Sequence, residues 1–191
     1  MDVLLVGDSI TQQWGSPLDK GILNAAWKKH FGGHKTLNIG IGGDKGIQPR
    51  LIVVMIGNNN MFFTAETGIE AAAKDVKACV ENVRAKFPKA EVIVAKILPA
   101  HAPGNNFYED IKKTNSALDP LKLESDPKVH VLDLWSDFTN ANGMVKPALF
   151  KPDNIHLSLE GYKVYAERLK PLIERIRKVK PTELLSYLEG L

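Results

Sequence analysis

The sequence contains a single cysteine and no long apolar run, and both absences limit what the chain can be. Because Cys79 has no second cysteine to pair with, an internal disulfide is excluded, which suits a reducing compartment. The apolar run at residues 3–6 lacks a preceding basic segment and is too short for a signal peptide or a membrane span. We therefore expect no stable membrane insertion, and the chain fits either a cytoplasmic protein or one secreted after processing.

The chain also lacks a strong charge imbalance and any long basic block. Its 25 lysines and arginines against 22 aspartates and glutamates give a net charge of +3, which is scattered along the sequence. Nucleic-acid-binding domains cluster their basic residues, so we expect no nucleic-acid partner. The 191 residues, 44% of them hydrophobic, predict one globular domain that spans residues 1–191.

Short apolar runs alternate with helical patterns, which is typical of a parallel sheet. Strands are predicted at residues 3–6, 37–41, 51–56, 92–97 and 129–132. Helices are predicted at residues 18–31, 67–87, 110–123 and 181–188, with a long helix that follows Ser158. Thr67 and Glu70 have capping-box spacing, and Ser158 is the expected cap of the long helix. The sequence thus predicts an α/β fold with three α/β/α layers and a mainly parallel five-stranded sheet.

The connection between the second and third predicted strands is short. Only residues 42–50 join them, whereas a parallel crossover normally needs a dozen residues or more. No covering helix can form in that length. Our hypothesis is that the chain lacks a segment between Lys45 and Gly46.

Residues suited to acyl transfer follow the strand ends. Ser9 comes directly after the first strand, and Asp153 and His156 lie in the loop before the long helix. A serine hydroxyl needs a base to take its proton, and a histidine does this best when a carboxylate fixes its tautomer. Taken alone, each motif also fits a simple turn or a helix cap. Together, Ser9, His156 and Asp153 predict a nucleophile, its base and the orienting acid.

A tetrahedral intermediate also needs hydrogen-bond donors for its oxyanion. Three candidates lie at strand ends, namely the backbone N–H groups of Ser9 and Gly43 and the side-chain amide of Asn59. Gly43 and Asn59 also fit ordinary turns, since glycine and asparagine are common there. Their place beside the other candidates favours the oxyanion role.

These residues form four blocks that resemble the SGNH (GDSL) hydrolase family. In order, the blocks are Gly7-Asp8-Ser9, Gly43 within residues 38–44, Gly57-Asn58-Asn59, and Asp153 with His156. The second and third blocks look most similar to the branch that includes platelet-activating-factor acetylhydrolase catalytic subunits. Asn60 stands where many members carry an aspartate.

The resemblance implies a serine esterase that removes a small acyl group, such as acetyl, from a sugar or a lipid-like alcohol. It also implies that no metal or other cofactor is needed and that the partner is a small-molecule ester. Two alternatives stay open: a lysophospholipase or thioesterase acting on longer acyl chains, and a non-catalytic binding protein on the same fold. The sequence leaves the oligomeric state open.

Three further residues are candidates for substrate binding. Phe62 and Phe63 follow the third block and fit either an acyl pocket or core packing. His101 lies in a loop that is expected to border the site. The remaining histidines outside the fourth block form no convincing metal-ligand cluster and are interpreted as surface or structural residues: His30, His34 and His130.

Overall fold

The computed structural model describes residues 3–14, 29, 36–38, 49–62, 64–101 and 106–178. These residues contain a five-stranded sheet with the order β2-β1-β3-β4-β5, in which every neighbouring pair is parallel. The sheet confirms the predicted fold class. The strands are β1 (Val3–Gly7), β2 (Thr36–Asn38), β3 (Leu51–Met55), β4 (Glu91–Ala95) and β5 (Val129–Leu132).

Alternate residues of the strands face two different helical layers. Leu5, Val53 and Ile93 belong to one buried apolar cluster, while their neighbours Ile52 and Val92 belong to another. Side chains of a strand point to opposite faces in turn, so an apolar run without alternation needs cover on both faces. This is why the central strands are continuous runs of aliphatic residues, and it produces the three-layer arrangement.

Six α-helices lie in the described part of the chain. They are α1 (Ser9–Gln12), α2 (Thr64–Thr67), α3 (Ile69–Lys86), α4 (Asn106–Leu118), α5 (Trp135–Phe138) and α6 (Leu159–Lys178). Helix α3 packs Ala73, Val76 and Val80 on one face of the sheet, and helix α6 packs residues such as Tyr165 and Leu169 on the other face. None of the helices in these described ranges is long and apolar enough to cross a membrane.

Two predicted helix starts differ from the structure. The capping box at Thr67 and Glu70 is wrong, because Thr67 ends α2 and the residue that precedes α3 is Gly68, with φ 86° and no side-chain cap. Glycine adopts that positive φ without steric cost, and it lets the chain turn between the two helices. Helix α4 begins at Asn106, before the predicted residue 110, and gives way at Asp119–Leu121 to a 3₁₀ turn that contains Pro120.

Helix α6 begins as predicted at Ser158. The Ser158 hydroxyl accepts a hydrogen bond from the Gly161 N–H at 3.2 Å, which satisfies one of the free donors in the first turn. On the buried face of the helix, the Tyr162 hydroxyl donates to the Ile10 carbonyl at 2.6 Å. The Tyr162 ring also meets Trp14 edge-on, with the centroids 4.6 Å apart. Helix α6 is therefore bonded to the segment that directly follows β1.

Several predictions fall on residues outside the described ranges. These are the helix at residues 18–31, of which only residue 29 is described, the helix at residues 181–188, and the missing segment between Lys45 and Gly46, which all stay predictions. Residues 39–48 of the connection between β2 and β3 also lie outside the described ranges. In the sheet order, β1 lies between these two strands.

The segment that leaves β4 is fixed by one buried side chain. Asn115 of α4 is 7% exposed and bonds both backbone groups of Ile97. Its Oδ1 accepts from the Ile97 N–H at 3.0 Å, and its Nδ2 donates to the Ile97 carbonyl at 2.7 Å. An amide is the side chain that satisfies a donor and an acceptor together.

We predict that Asn115→Leu lowers the free energy of unfolding by about 2–3 kcal/mol, because two buried backbone groups lose their partner. The neighbouring Thr114 is also fully buried, but its hydroxyl makes only a weak contact, 3.8 Å from the Met61 sulfur. Thr114→Val is therefore the matched control, with an expected loss below about 1 kcal/mol. Urea unfolding of both variants gives the comparison, and equal losses would contradict the assignment to Asn115.

Candidate active site

The turn between β1 and α1 presents Ser9 at the carboxyl end of the sheet. Asp8 caps the short helix, since its Oδ1 accepts from the Ile10 N–H at 3.0 Å. Gly7 is required because a Cβ at this position would overlap both the Thr11 Oγ1 and the Met55 carbonyl. The sequence Gly-Asp-Ser therefore combines a close approach, a helix cap and an accessible hydroxyl.

Asp8 is also a buried carboxyl group. Its second oxygen, Oδ2, is buried and has no hydrogen-bond partner among the residues that the structure describes. Burial raises the pKa of Asp8 above its ordinary value, against the opposing effects of the Ile10 N–H and the nearby His156. The cap of the Ser9 helix is thus a carboxyl group that burial biases toward its neutral form.

The loop before α6 folds around its own aspartate. Asp153 Oδ1 accepts from the N–H groups of Ile155 and His156, at 2.9 and 2.8 Å. The Lys151 N–H donates to the His156 carbonyl at 2.7 Å, and the Asn154 N–H donates to the Lys151 carbonyl at 2.9 Å. One carboxylate oxygen therefore shapes the turn, which leaves the other free to contact the histidine ring.

The structure brings Ser9, His156 and Asp153 into one chain of hydrogen bonds. Ser9 Oγ lies 2.8 Å from His156 Nε2, and His156 Nδ1 lies 2.8 Å from Asp153 Oδ2. A carboxylate only accepts hydrogen bonds, so the neutral imidazole carries its proton on Nδ1. His156 Nε2 is then the acceptor, and the Ser9 hydroxyl donates to it. The geometry suits proton transfer from Ser9 to His156.

The environment of Asp153 favours its charged form. Burial alone would raise its pKa, but the N–H groups of Ile155 and His156 and the imidazole outweigh this and lower the pKa of Asp153. A lowered folded-state pKa means that the contribution to stability is complete above the ordinary value of about 4. It is lost only as the pH falls through the lower folded-state pKa, so the turn keeps its carboxylate at neutral pH.

Two of the three candidate oxyanion donors, Ser9 and Asn59, lie among the described residues. Asn59 opens a 3₁₀ turn, Asn59–Phe62, directly beyond β3, and its side chain is exposed. It therefore lies at the same sheet edge as Ser9, whereas Gly43 lies outside the described residues. Gly57, with φ 111°, leads into this turn, and a Cβ there would approach the Ile97 Cδ1 to 2.7 Å.

Asn60, which stands where many family members carry an aspartate, has a specific hydrogen-bond partner in this chain. Its Nδ2 donates to the Asp75 Oδ2 of α3 at 3.0 Å, which ties the turn to the helix. A carboxylate at position 60 would only accept hydrogen bonds and would repel Asp75. The asparagine and Asp75 are thus a complementary pair in this chain.

The candidate substrate-binding residues fall in different places. Phe62 is the last residue of the 3₁₀ turn that begins at Asn59, and Phe63 lies outside the described residues. His101 lies beside the catalytic candidates, because its N–H donates to the Asn154 carbonyl at 3.1 Å. Its ring meets Phe107 edge-on, at a centroid distance of 5.2 Å.

Sequence reasoning missed the contacts that hold this turn in place. Lys151 Nζ donates to Gln13 Oε1 at 3.1 Å and so links the turn to the Ser9 segment. Ile155 packs on a buried apolar cluster that also contains Met61, Ile97 and Ile111. These residues come from distant parts of the chain, and no local pattern connects them. The one available signal was Asn154, since asparagine tolerates a left-handed backbone.

A cavity of about 510 Å³ lies elsewhere, around Lys96, and none of its lining residues belongs to the triad. Lys96 Nζ lies 2.7 Å from Asp119 Oδ1 and 3.2 Å from Asp133 Oδ2, so carboxylates already neutralise its charge. The volume of this cavity therefore does not identify the candidate active site. Within the described part of the chain, no group of three or more histidine, cysteine, aspartate or glutamate side chains is arranged to hold a metal ion.

The chain is similar to known proteins over most of its length. The sequence model of the GDSL-like lipase/acylhydrolase family matches residues 5–164. Platelet-activating factor acetylhydrolase IB subunit alpha2 of Homo sapiens is 29% identical over 197 residues, covering 95% of this chain and 80% of that protein.

Two solved structures share the fold. A GDSL-like lipase from Bacteroides thetaiotaomicron superposes with a TM-score of 0.67 at 19% identity, over 91% of this chain and 88% of that one. An acetyl xylan esterase from Geobacillus stearothermophilus gives a TM-score of 0.63 at 15% identity, over 90% and 94% of the two chains.

We predict that Gly7→Ala destabilises the protein by about 3 kcal/mol or more, because the added Cβ overlaps Thr11 and the β3 backbone. Gly68→Ala is the control, since a Cβ there meets nothing within 4 Å. Its φ of 86° and ψ of 157° lie in a region that alanine disfavours by about 1–3 kcal/mol, so the control carries backbone strain without any overlap. Thermal unfolding of the two variants measures the difference. A Gly7→Ala variant as stable as Gly68→Ala would contradict the close approach at the Ser9 turn.

Proposed function

The chain belongs to the GDSL-like lipase/acylhydrolase family and is an ester hydrolase of that class, and from this premise we propose that it removes small acyl groups, acetyl above all. The alcohol that leaves is a sugar or a lipid-like molecule. The observation that carries the proposal is the pair of 2.8 Å contacts that joins Ser9, His156 and Asp153.

The proposed reaction begins with attack of Ser9 Oγ on the ester carbonyl. His156 Nε2 takes the hydroxyl proton as the bond forms, and Asp153 stabilises the resulting imidazolium. The tetrahedral intermediate then expels the alcohol, which receives the proton from His156. Water attacks the acyl-enzyme in the same manner, releases the carboxylic acid and restores the Ser9 hydroxyl.

Oxyanion stabilisation is assigned to the Ser9 N–H, the Gly43 N–H and the Asn59 side chain. The positions of Ser9 and Asn59 support this role. Ser9 follows the carboxyl end of β1 and Asn59 follows that of β3, and these two strands are neighbours. Preorganised donors stabilise the charge that develops on the carbonyl oxygen more than the neutral ground state. Gly43 enters by its match to the second family block.

Two observations favour a small acyl group. Met61 and Ile155, which lie close in sequence to Asn59 and His156, pack in one buried apolar cluster with Ala100 and Ile111. A packed interior leaves little room for added methylene groups. The relatives point the same way, since an acetylhydrolase subunit and an acetyl xylan esterase are among them.

We predict that the purified protein hydrolyses p-nitrophenyl acetate and that kcat/KM falls from the acetyl ester to the decanoyl ester. Ser9→Ala is expected to lower kcat by about 10⁴-fold or more, because the nucleophile is lost. Ser116→Ala is the control, since Ser116 is an exposed residue of α4 whose hydroxyl bonds only the Lys112 carbonyl in its own helix.

Three results would argue against the proposal. Activity that rises toward the decanoyl ester favours a lysophospholipase or thioesterase. No activity in wild type favours a binding protein on the same fold. Equal activity of wild type and Ser9→Ala removes Ser9 from its proposed role.

A further inference from the structure

Two strained residues meet beside the candidate base. His101 has φ 61° and Asn154 has φ 56°, so both adopt the left-handed region that side chains with a Cβ disfavour. The His101 N–H donates to the Asn154 carbonyl at 3.1 Å. Among the residues with a described backbone, the third non-glycine residue with positive φ is Lys122, which lies near the Lys96 cavity and away from the triad.

Such strain persists only where the surrounding structure imposes it. On one side, the His101 ring packs edge-on against Phe107, and Ala100 before it is 2% exposed. On the other side, Ile155 follows Asn154 directly. Phe107, Ala100 and Ile155 belong to the same apolar cluster, so one cluster holds both strained residues in place.

The hydrogen bonds within the turn do not by themselves set its position relative to Ser9. Asp153 fixes the backbone of Ile155 and the ring of His156, but all these bonds lie inside the same segment. The His101–Asn154 bond comes from outside, from the loop that leaves β4. It joins the turn to the sheet that also carries Ser9.

We propose that His101 and Asn154 are positioning residues whose paired left-handed conformations hold His156 Nε2 at hydrogen-bonding distance from Ser9. This inference rests on the proposed function. It gives His101 a role through its backbone N–H and its packing. Neither residue touches the reacting atoms in this account, since both act through the position of His156.

The test compares alanine and glycine at position 154. The Asn154 side chain is exposed, so Asn154→Ala removes no packed group and mainly makes φ 56° less favourable. We expect it to lower kcat for p-nitrophenyl acetate by about fivefold to tenfold, with KM unchanged. Asn154→Gly, which accepts positive φ, is expected to recover most of that loss.

Lys122 is the control position, because it has a positive φ but lies away from the proposed catalytic residues. Lysine already carries a Cβ at φ 48°, so Lys122→Gly changes the backbone cost at a site away from the triad and is expected to leave kcat unchanged. A double-mutant cycle then measures the link between the two positioning residues. Combining His101→Ala with Asn154→Ala should lose about as much kcat as the worse single variant, whereas Lys122→Gly and Asn154→Ala should combine independently.

Results against the inference differ from results against the proposed function. If wild type hydrolyses the ester in a Ser9-dependent manner but Asn154→Ala and Asn154→Gly have equal kcat, the positioning role is wrong. Independent effects of His101→Ala and Asn154→Ala would also contradict it, and would favour direct substrate contact by His101. If wild type shows no turnover, the proposed function fails, and Tm values of the same variants still report the strain.

Discussion

The hydrogen bond between Ser9 Oγ and His156 Nε2, 2.8 Å long, joins residues that are 147 positions apart, and the rest of the structure serves to maintain it. Ser9 depends on β1, which lies in the interior of the sheet between β2 and β3. His156 depends on a turn that precedes α6. Because the two partners come from opposite ends of the chain, neither local propensity nor a single packing contact can set their distance.

Contacts between α6 and the segment that follows Ser9 bring the two ends of the site together. The Tyr162 hydroxyl reaches the Ile10 carbonyl, and Trp14 packs on the same tyrosine. Tyr162 lies only six positions after His156, in the first turns of α6, so the helix that follows the base also holds the segment that follows the nucleophile. On the other side, the loop beyond β4 meets the turn through His101 and Asn154. The site is therefore held between two independent attachments to the sheet.

Features whose signal lies within one segment could be predicted from the sequence, whereas features that depend on contacts between distant segments could not. The strands could be predicted because their apolar runs are short and rich in β-branched residues, and α3 could be predicted from its helical spacing of apolar residues. The predicted capping box failed because the spacing of Thr67 and Glu70 coincides with the end of α2. Gly68, with its positive φ, separates α2 from α3. Spacing and chemistry were enough to propose Ser9, Asp153 and His156 as the catalytic residues. The roles of His101 and Asn154 could not, since a left-handed pair arises only when two distant loops meet.

The central claim is that Ser9 is a nucleophile activated by His156, and labelling with a fluorophosphonate tests it most directly. In this reaction the Ser9 oxygen displaces fluoride and forms a stable bond to phosphorus, which peptide mass spectrometry locates. The account predicts a single adduct on Ser9 in the native protein, with labelling at least about 10²-fold slower in His156→Ala. Labelling at another residue, or a rate that His156→Ala leaves unchanged, would contradict it.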